Sequence, residues 1–163
     1  MLRKLSLALC TAVILSAGCH SKKQVVPDDA YAYIREAQQL RVRLVPGAAS
    51  PNGKNTLVSF TVTNPTNKAL RFCKWETPFE PRTGKYFEVT DANGNEAAFQ
   101  GAMARRIMPP PASAYITVPA HNSVKTVTDL ADSYRLTARS YVIRYTGSGV
   151  SGLRPGNKIS IRL

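Results

Sequence analysis

The chain has 163 residues, with 22 Lys and Arg residues against 10 Asp and Glu residues and a formal net charge of +12 at pH 7. This length suits one domain with a substantial core, and the positive charge favours anionic partners such as lipid, lipopolysaccharide, acidic glycan or acidic protein. The basic residues are scattered, and no recognition helix or RNA-binding aromatic signature accompanies them, so the composition argues against a nucleic-acid-binding protein.

The N-terminus predicts an export signal. Arg3 and Lys4 form a positive start, and residues 5–15 form an apolar run that is too short to span a bilayer comfortably. The small residues before Cys19 resemble a bacterial lipoprotein lipobox, where cleavage exposes a thiol for acylation. The residue three positions before the cysteine is serine, whereas most lipoboxes carry a large aliphatic residue there. We expect residues 1–18 to be a lipoprotein signal peptide and Cys19 the lipid attachment site; the alternative is a plain secretory signal.

Acylation would place the protein on a membrane of the bacterial cell envelope, because buried acyl chains supply the affinity of the anchor. His20 rather than Asp follows Cys19, which resembles an outer-membrane address on the side facing the periplasm. Cys10 would leave with the signal and Cys19 would be acylated, so Cys73 has no partner for an internal disulfide. Since Cys73 lies in an apolar strand-like run, we expect it to be a small buried hydrophobic residue.

A short tether and a helix are predicted next. Residues 19–27 are polar and are expected to form the tether. Ala, Arg, Glu and Gln residues favour a helix over 28–40. Spacings of four and three would place Tyr33, Ala37 and Leu40 on one face of this helix.

Strands of period two dominate the rest of the chain. Val58, Phe60 and Val62 alternate with Ser and Thr in the clearest one, and Asn93–Gly94 predicts a tight hairpin turn because such turns need positive φ. We therefore predict that residues 28–163 form one all-β domain, an immunoglobulin-like antiparallel β-sandwich of about seven to eight strands with a short N-terminal helix. The predicted strand segments are residues 40–46, 56–64, 69–75, the hairpin 85–101, 114–120, 123–130, 140–147 and 157–163.

Four short motifs carry a family resemblance over residues 40–147. They are the Thr63–Asn64 turn, W-x-T-P at Trp75, Thr77 and Pro78, the basic pair Arg105–Arg106 before prolines, and DL-x-x-x-Y from Asp129 to Tyr134. In this order they resemble the N-terminal β-sandwich region of deuterolysin-type (aspzincin) metalloendopeptidases. In that family the sandwich precedes a zinc protease domain. We expect this chain to carry a free-standing copy of the sandwich, without the protease domain.

The catalytic features of that family have no counterpart here. Zinc peptidases of this type need H-E-x-x-H, and the only histidines of this chain are His20 and His121. No G-x-S-x-G elbow or phosphate-binding loop is present. We therefore expect a non-enzyme without a metal or a cofactor. The acidic residues that could be proposed as catalytic pairs sit beside predicted turns or caps, and they are Asp28, Asp29, Glu76, Glu80, Asp91, Asp129 and Asp132.

A rigid basic segment is the best candidate contact site. Arg105 and Arg106 precede three prolines, which would present their charge at low entropic cost, and Lys74 is a further candidate; solvated loop charges are the alternative. We expect Trp75 to be buried and Tyr134 to have a structural role, as a hydroxyl that bonds back to a neighbouring segment.

The function predicted from these features is that of a non-catalytic, lipid-anchored envelope protein that binds another protein. The resemblance implies a secreted metalloendopeptidase as the partner, with this protein as its inhibitor or chaperone. A structural envelope module that binds peptidoglycan or lipopolysaccharide is the alternative, and an enzyme with an unrecognised site is the least supported reading.

Overall fold

The computed structural model describes residues 31–49, 55–147 and 149–163. The predicted signal peptide, Cys19 and the tether lie outside the described residues, as does the predicted start of the helix.

The N-terminal helix, α1, spans Ala32–Ala37 and is shorter than predicted at its C-terminal end. The predicted buried face is confirmed for Tyr33 and Ala37, which are fully buried, whereas Leu40 is 3% exposed but lies after the end of the helix. The Tyr33 hydroxyl donates a hydrogen bond of 2.7 Å to the Val150 carbonyl oxygen, and its ring lies edge-on to Tyr115. These contacts fix the helix against the sandwich, since six residues form too few helical bonds to be stable alone.

Strands are the main secondary structure of the described chain, and two of the ten contain only two residues. They are β1 (Arg41–Pro46), β2 (Leu57–Thr63), β3 (Leu70–Cys73), β4 (Phe87–Asp91), β5 (Ala98–Phe99), β6 (Tyr115–Val118), β7 (Ser123–Asp129), β8 (Tyr134–Arg135), β9 (Ser140–Tyr145) and β10 (Lys158–Arg162).

All pairings between these strands are antiparallel. One three-stranded sheet has the order β1-β2-β7, and a second has the order β10-β9-β4. Two small sheets, β3-β6 and β5-β8, complete the fold. In the first sheet the central strand β2 pairs with β7 along its full length, Leu57–Thr63 against Ser123–Asp129.

The core lies between the inner faces of the two three-stranded sheets. Val58, Phe60 and Val62 are fully buried, as their alternation predicts. The Phe60 ring on β2 lies edge-on to the rings of Tyr145 on β9 and Phe87 on β4, with centroids 5.0 and 6.5 Å away. Each such side chain contributes about 1.5–3 kcal/mol by leaving water, so this contact joins the two layers. The predicted all-β antiparallel sandwich with one short helix is confirmed.

The predicted hairpin is correct at its turn and wrong in its extent. Gly94 has a φ of +83°, and its N–H donates a 3.1 Å hydrogen bond to the Asp91 carbonyl oxygen. The returning arm meets β4 only at the Thr90–Glu96 bridge. It then diverges, and β5 pairs with β8 instead. The hairpin therefore shifts the chain from one sheet to another.

Three predicted structural side chains are confirmed. Trp75 is 8% exposed and Cys73 is fully buried. Burial raises the pKa of the Cys73 thiol, which keeps it protonated and weakly reactive. The buried Tyr134 hydroxyl donates a 2.7 Å hydrogen bond to the Phe87 carbonyl oxygen, so this tyrosine ties the β8 segment to β4.

Candidate functional site

The side chains that could support catalysis hold structural contacts. The His121 Nε2 atom lies 2.6 Å from the Asn67 Oδ1 atom on the surface. Two of the described turn carboxylates form ion pairs, Glu80 with Arg106 and Asp132 with Arg82. The other three accept hydrogen bonds from backbone N–H groups: Glu76 from Val150, Asp91 from Asn93 and Asn95, and Asp129 from Ala131. Over residues 31–49, 55–147 and 149–163, no three His, Cys, Asp or Glu side chains converge as metal ligands would.

The predicted basic pair divides into two roles. The Arg106 guanidinium lies over the Trp75 ring, 4.7 Å from its centroid, and pairs with the Glu80 carboxylate. The Arg106 and Glu80 side chains are only 27% and 24% exposed. Arg105, one residue earlier, is exposed. Arg106 therefore fastens its loop to the sandwich, while Arg105 presents its charge to solvent.

Lys74 lies at the base of the same region. It precedes Trp75 and is partly buried. Its backbone N–H donates a 2.8 Å hydrogen bond to Ala114, and its carbonyl oxygen accepts one of 2.6 Å from the Thr77 hydroxyl. These bonds fix the backbone position from which the Lys74 ammonium extends.

Residues 102–108, named the 102–108 loop below, are anchored at their start as well. The Ala102 N–H donates to the Arg82 carbonyl oxygen at 3.0 Å, and the Gly84 N–H donates to the Ala102 carbonyl oxygen at 2.7 Å. With Arg106 held over Trp75, the loop is attached at its first residue and near its middle. Its conformation is therefore set by the sandwich.

The 102–108 loop exposes large apolar side chains. Met103 is 74% exposed, Ile107 is 85% exposed and Met108 is 38% exposed. The arginines of this segment were predicted from the sequence as contact residues, and these apolar residues were not. The available signal was apolar side chains in a proline-rich stretch with no strand alternation. Clustered exposed apolar residues mark interaction sites, and Arg105 adds a cation among them.

A second surface lies on the outer face of the sheet β1-β2-β7, where an open groove of about 560 Å³ runs along β2. Cross-strand pairing arranges its walls and floor in rows. One row contains Arg43, Thr61 and Lys125, and the next contains Val45, Ser59 and Val127. None of the ion pairs between described residues involves Arg43 or Lys125. The groove thus changes from cationic to apolar over two residues, or about 7 Å.

The described chain contains no helix with the length and hydrophobicity needed to cross a bilayer.

No family model matches this sequence, and no curated protein matches it. Among solved structures, the chain is similar to the X-ray structure of Northeast Structural Genomics Consortium target SoR45. The two share 16% sequence identity with a TM-score of 0.39, over 76% of this chain and 86% of that one. The resemblance to deuterolysin-type sandwiches stays a prediction.

Proposed function

We propose that this protein is a non-catalytic binding protein of the bacterial envelope. It is anchored through acylated Cys19, on the outer membrane facing the periplasm, and it contacts a protein partner through the 102–108 loop. The observation that carries the proposal is the exposure of Met103, Ile107 and Met108 on a loop that Ala102 and Arg106 attach to the sandwich.

The loop has the physical properties of a contact surface. Apolar area left in water costs about 25 cal/mol per Å², which a partner recovers by covering Met103 and Ile107. Methionine adapts to irregular surfaces, and it is enriched at protein interfaces. Because Ala102 and Arg106 already hold the backbone, binding orders little additional chain and loses less entropy.

The family resemblance supports the choice of partner. In deuterolysin-type enzymes the related sandwich is part of the same chain as the catalytic domain. The sandwich domain of this chain would act on a metalloendopeptidase in trans, as an inhibitor or a chaperone. The structural contacts of the described carboxylates and the burial of Cys73 support a non-catalytic role.

Calorimetry with an aspzincin-type protease tests this function. The full-length protein, purified in detergent, should bind, and a variant combining Met103→Ser with Ile107→Ser should bind about tenfold or more weakly because two apolar contacts are lost. Val142→Ser is the matched control, since Val142 is an exposed apolar residue on β9. An absence of heat with several such proteases would dismiss the trans-acting role, and equal loss in the control would dismiss the loop.

The anchor has an independent test. Cells expressing the protein should incorporate labelled fatty acid into it, and Cys19→Ser should remove both the label and the membrane association. Retention of the label in the Cys19→Ser variant would contradict the proposed attachment site.

A structural envelope module is the second candidate function, favoured by the basic surface. Exposed arginines that lie outside the ion pairs of the described chain are Arg35, Arg41, Arg43, Arg105, Arg135, Arg139, Arg154 and Arg162. Binding to peptidoglycan or lipopolysaccharide through these charges would weaken as salt screens them. Pull-down on isolated cell walls at low and high salt distinguishes this function from the apolar contact of the 102–108 loop.

A further inference from the structure

The backbone of β7 has a defined orientation relative to β2. The Leu130 N–H donates to the Thr56 carbonyl oxygen at 3.0 Å, and the Asn64 N–H donates to the Asn122 carbonyl oxygen at 2.9 Å. These two bonds flank the β2–β7 ladder. Bonding alternates along antiparallel strands, so the even-numbered residues of β7 turn their backbone groups toward β2.

The odd-numbered residues of β7 therefore turn their backbone groups outward. The Ser123 N–H is satisfied by the Asn122 side chain at 2.8 Å. Between described residues, no hydrogen bond uses the backbone N–H or carbonyl oxygen of Lys125 or Val127. Val127 is 52% exposed. The outer edge of β7 thus offers two adjacent donor–acceptor pairs with the spacing of a strand.

The side chains beside this edge define what a new strand would meet. Lys125 belongs to the cationic row of the groove with Arg43, and Val127 belongs to the apolar row with Val45. Directly opposed residues of neighbouring strands have Cβ atoms about 4.5–5.5 Å apart. An added strand would therefore pair most favourably with an acidic residue beside Lys125 and an apolar residue beside Val127.

We propose that the β7 edge binds an extended acidic segment of a partner protein as an additional strand, with a carboxylate beside Lys125 and an apolar side chain two residues away beside Val127. Main-chain hydrogen bonds would supply affinity and the two side-chain rows would supply specificity, as in β-augmentation. This surface uses none of the residues of the 102–108 loop, so the inference stands if that loop binds nothing.

Charge and geometry favour an acidic peptide over other occupants. A second copy of the chain paired at β7 would bring two cationic rows together in a molecule of net charge +12, and like charges on neighbouring strands repel. A polysaccharide would lack the regular backbone donors and acceptors that match Lys125 and Val127. Among the described residues, those lining the groove include no aromatic ring for sugar stacking.

The experiment uses a short synthetic peptide in which a Glu and a Val, separated by one Thr, share one face of the extended chain. Titration into the isotopically labelled full-length protein in detergent should shift and protect the backbone amides of Lys125 and Val127. Lys125→Glu should weaken binding about tenfold, since attraction becomes repulsion at one cross-strand pair. A peptide with Lys in place of Glu should restore binding to that variant.

A backbone control separates strand addition from simple charge attraction. Methylation of the peptide amides that face β7 should abolish binding, whereas methylation of the alternate amides, which face away, should not. The proposal is overturned if both methylated peptides bind equally, if Lys125→Glu leaves binding unchanged, or if the amides of Lys125 and Val127 are already protected by self-association without peptide.

Discussion

The two edges of the sheet β1-β2-β7 are treated differently by the fold. At the β1 edge, Asn157 donates from Nδ2 to the Leu44 carbonyl oxygen at 2.9 Å and accepts at Oδ1 from the Leu44 N–H at 2.8 Å. This side chain reproduces the donor–acceptor pair of a neighbouring strand. At the β7 edge, Lys125 and Val127 keep the same backbone groups open.

The comparison shows how little sequence is needed to close a strand edge. Asn157 supplies the hydrogen bonds, and Gly156 lets its backbone approach Val42, where an added Cβ would overlap the Val42 carbonyl oxygen. The open edge is protected differently, because a central lysine opposes pairing between copies of the same chain. The β1 edge is therefore closed at Leu44, whereas the β7 edge keeps the backbone groups of Lys125 and Val127 open and opposes cationic segments through the Lys125 charge.

The largest effect is expected at the closed edge. Gly156→Ala forces a Cβ into the Val42 carbonyl oxygen, and we expect it to lower the free energy of unfolding by about 1–3 kcal/mol, as overpacking does. Urea denaturation measures this loss. Lys158→Ala, two residues further on at an exposed position, should change the free energy by less than about 0.5 kcal/mol. Equal stability of both variants would contradict the close approach at β1.

A smaller effect is expected from the asparagine itself. Asn157→Ala removes both bonds to Leu44 and should lower the free energy of unfolding by about 1 kcal/mol. Asn122→Ala is the matched control at the β7 edge, where the Asn122 side-chain oxygen accepts, among the described residues, from the adjacent Ser123 N–H alone. We expect the control to change stability by less than about 0.5 kcal/mol. If the two variants lowered the free energy of unfolding equally, the Asn157–Leu44 hydrogen bonds would not contribute the stability expected of them.

In the second sheet, β10-β9-β4, the returning arm of the Asn93–Gly94 hairpin covers part of the β4 edge. The stability of this hairpin should depend on pH. Hydrogen bonds from the Asn95 side chain and backbone, and then from the Asn93 N–H, hold the pKa of the Asp91 carboxyl below its usual value. A depressed pKa in the folded state stabilises the protein above the unfolded-state pKa, and this contribution is lost as the pH falls through the folded value.

We therefore expect the unfolding free energy to fall on acidification below about pH 4, where an unperturbed aspartate begins to protonate. Asp91→Asn keeps an acceptor oxygen for the Asn93 and Asn95 N–H groups without a titrating proton, so its stability should vary less with pH. Denaturation curves at several acidic pH values measure the difference. The effect is small because solvent still reaches the partly exposed Asp91, and parallel pH profiles would show that the turn does not depend on the charge.

Local pattern predicted the strands well, because the two-residue period of side chains is a property of the strand itself. Val58, Phe60 and Val62 show this, since their burial follows from alternation alone. Pairing partners were not predictable in the same way. The returning arm of the hairpin does not continue along β4, because its strand β5 pairs with Tyr134 and Arg135 of β8, which lie far along the sequence.

The sites were harder to predict than the strands. Arg105 and Arg106 have the same chemistry, and only the distant Trp75 and Glu80 decide which of them is held. Asn157 was predicted as the first residue of the last strand, and its bond to Leu44, 113 positions away, appears only in the folded chain. Closure of a sheet edge is a property of the assembled fold and has no local signal, whereas the apolar loop had one in its apolar residues beside prolines without strand alternation.

The smallest change in stability is expected at the open edge. Val127→Thr keeps a β-branched side chain on an exposed strand position, and it should alter the free energy of unfolding by less than about 0.5 kcal/mol. Amide hydrogen exchange measures the contrast between the two edges. In the unsubstituted protein and in the Val127→Thr variant alike, the amides of residues 125 and 127 should exchange rapidly, while the Leu44 amide exchanges slowly. Slow exchange at Lys125 in the isolated protein would show that something already covers β7, and the contrast between the two edges would then be lost.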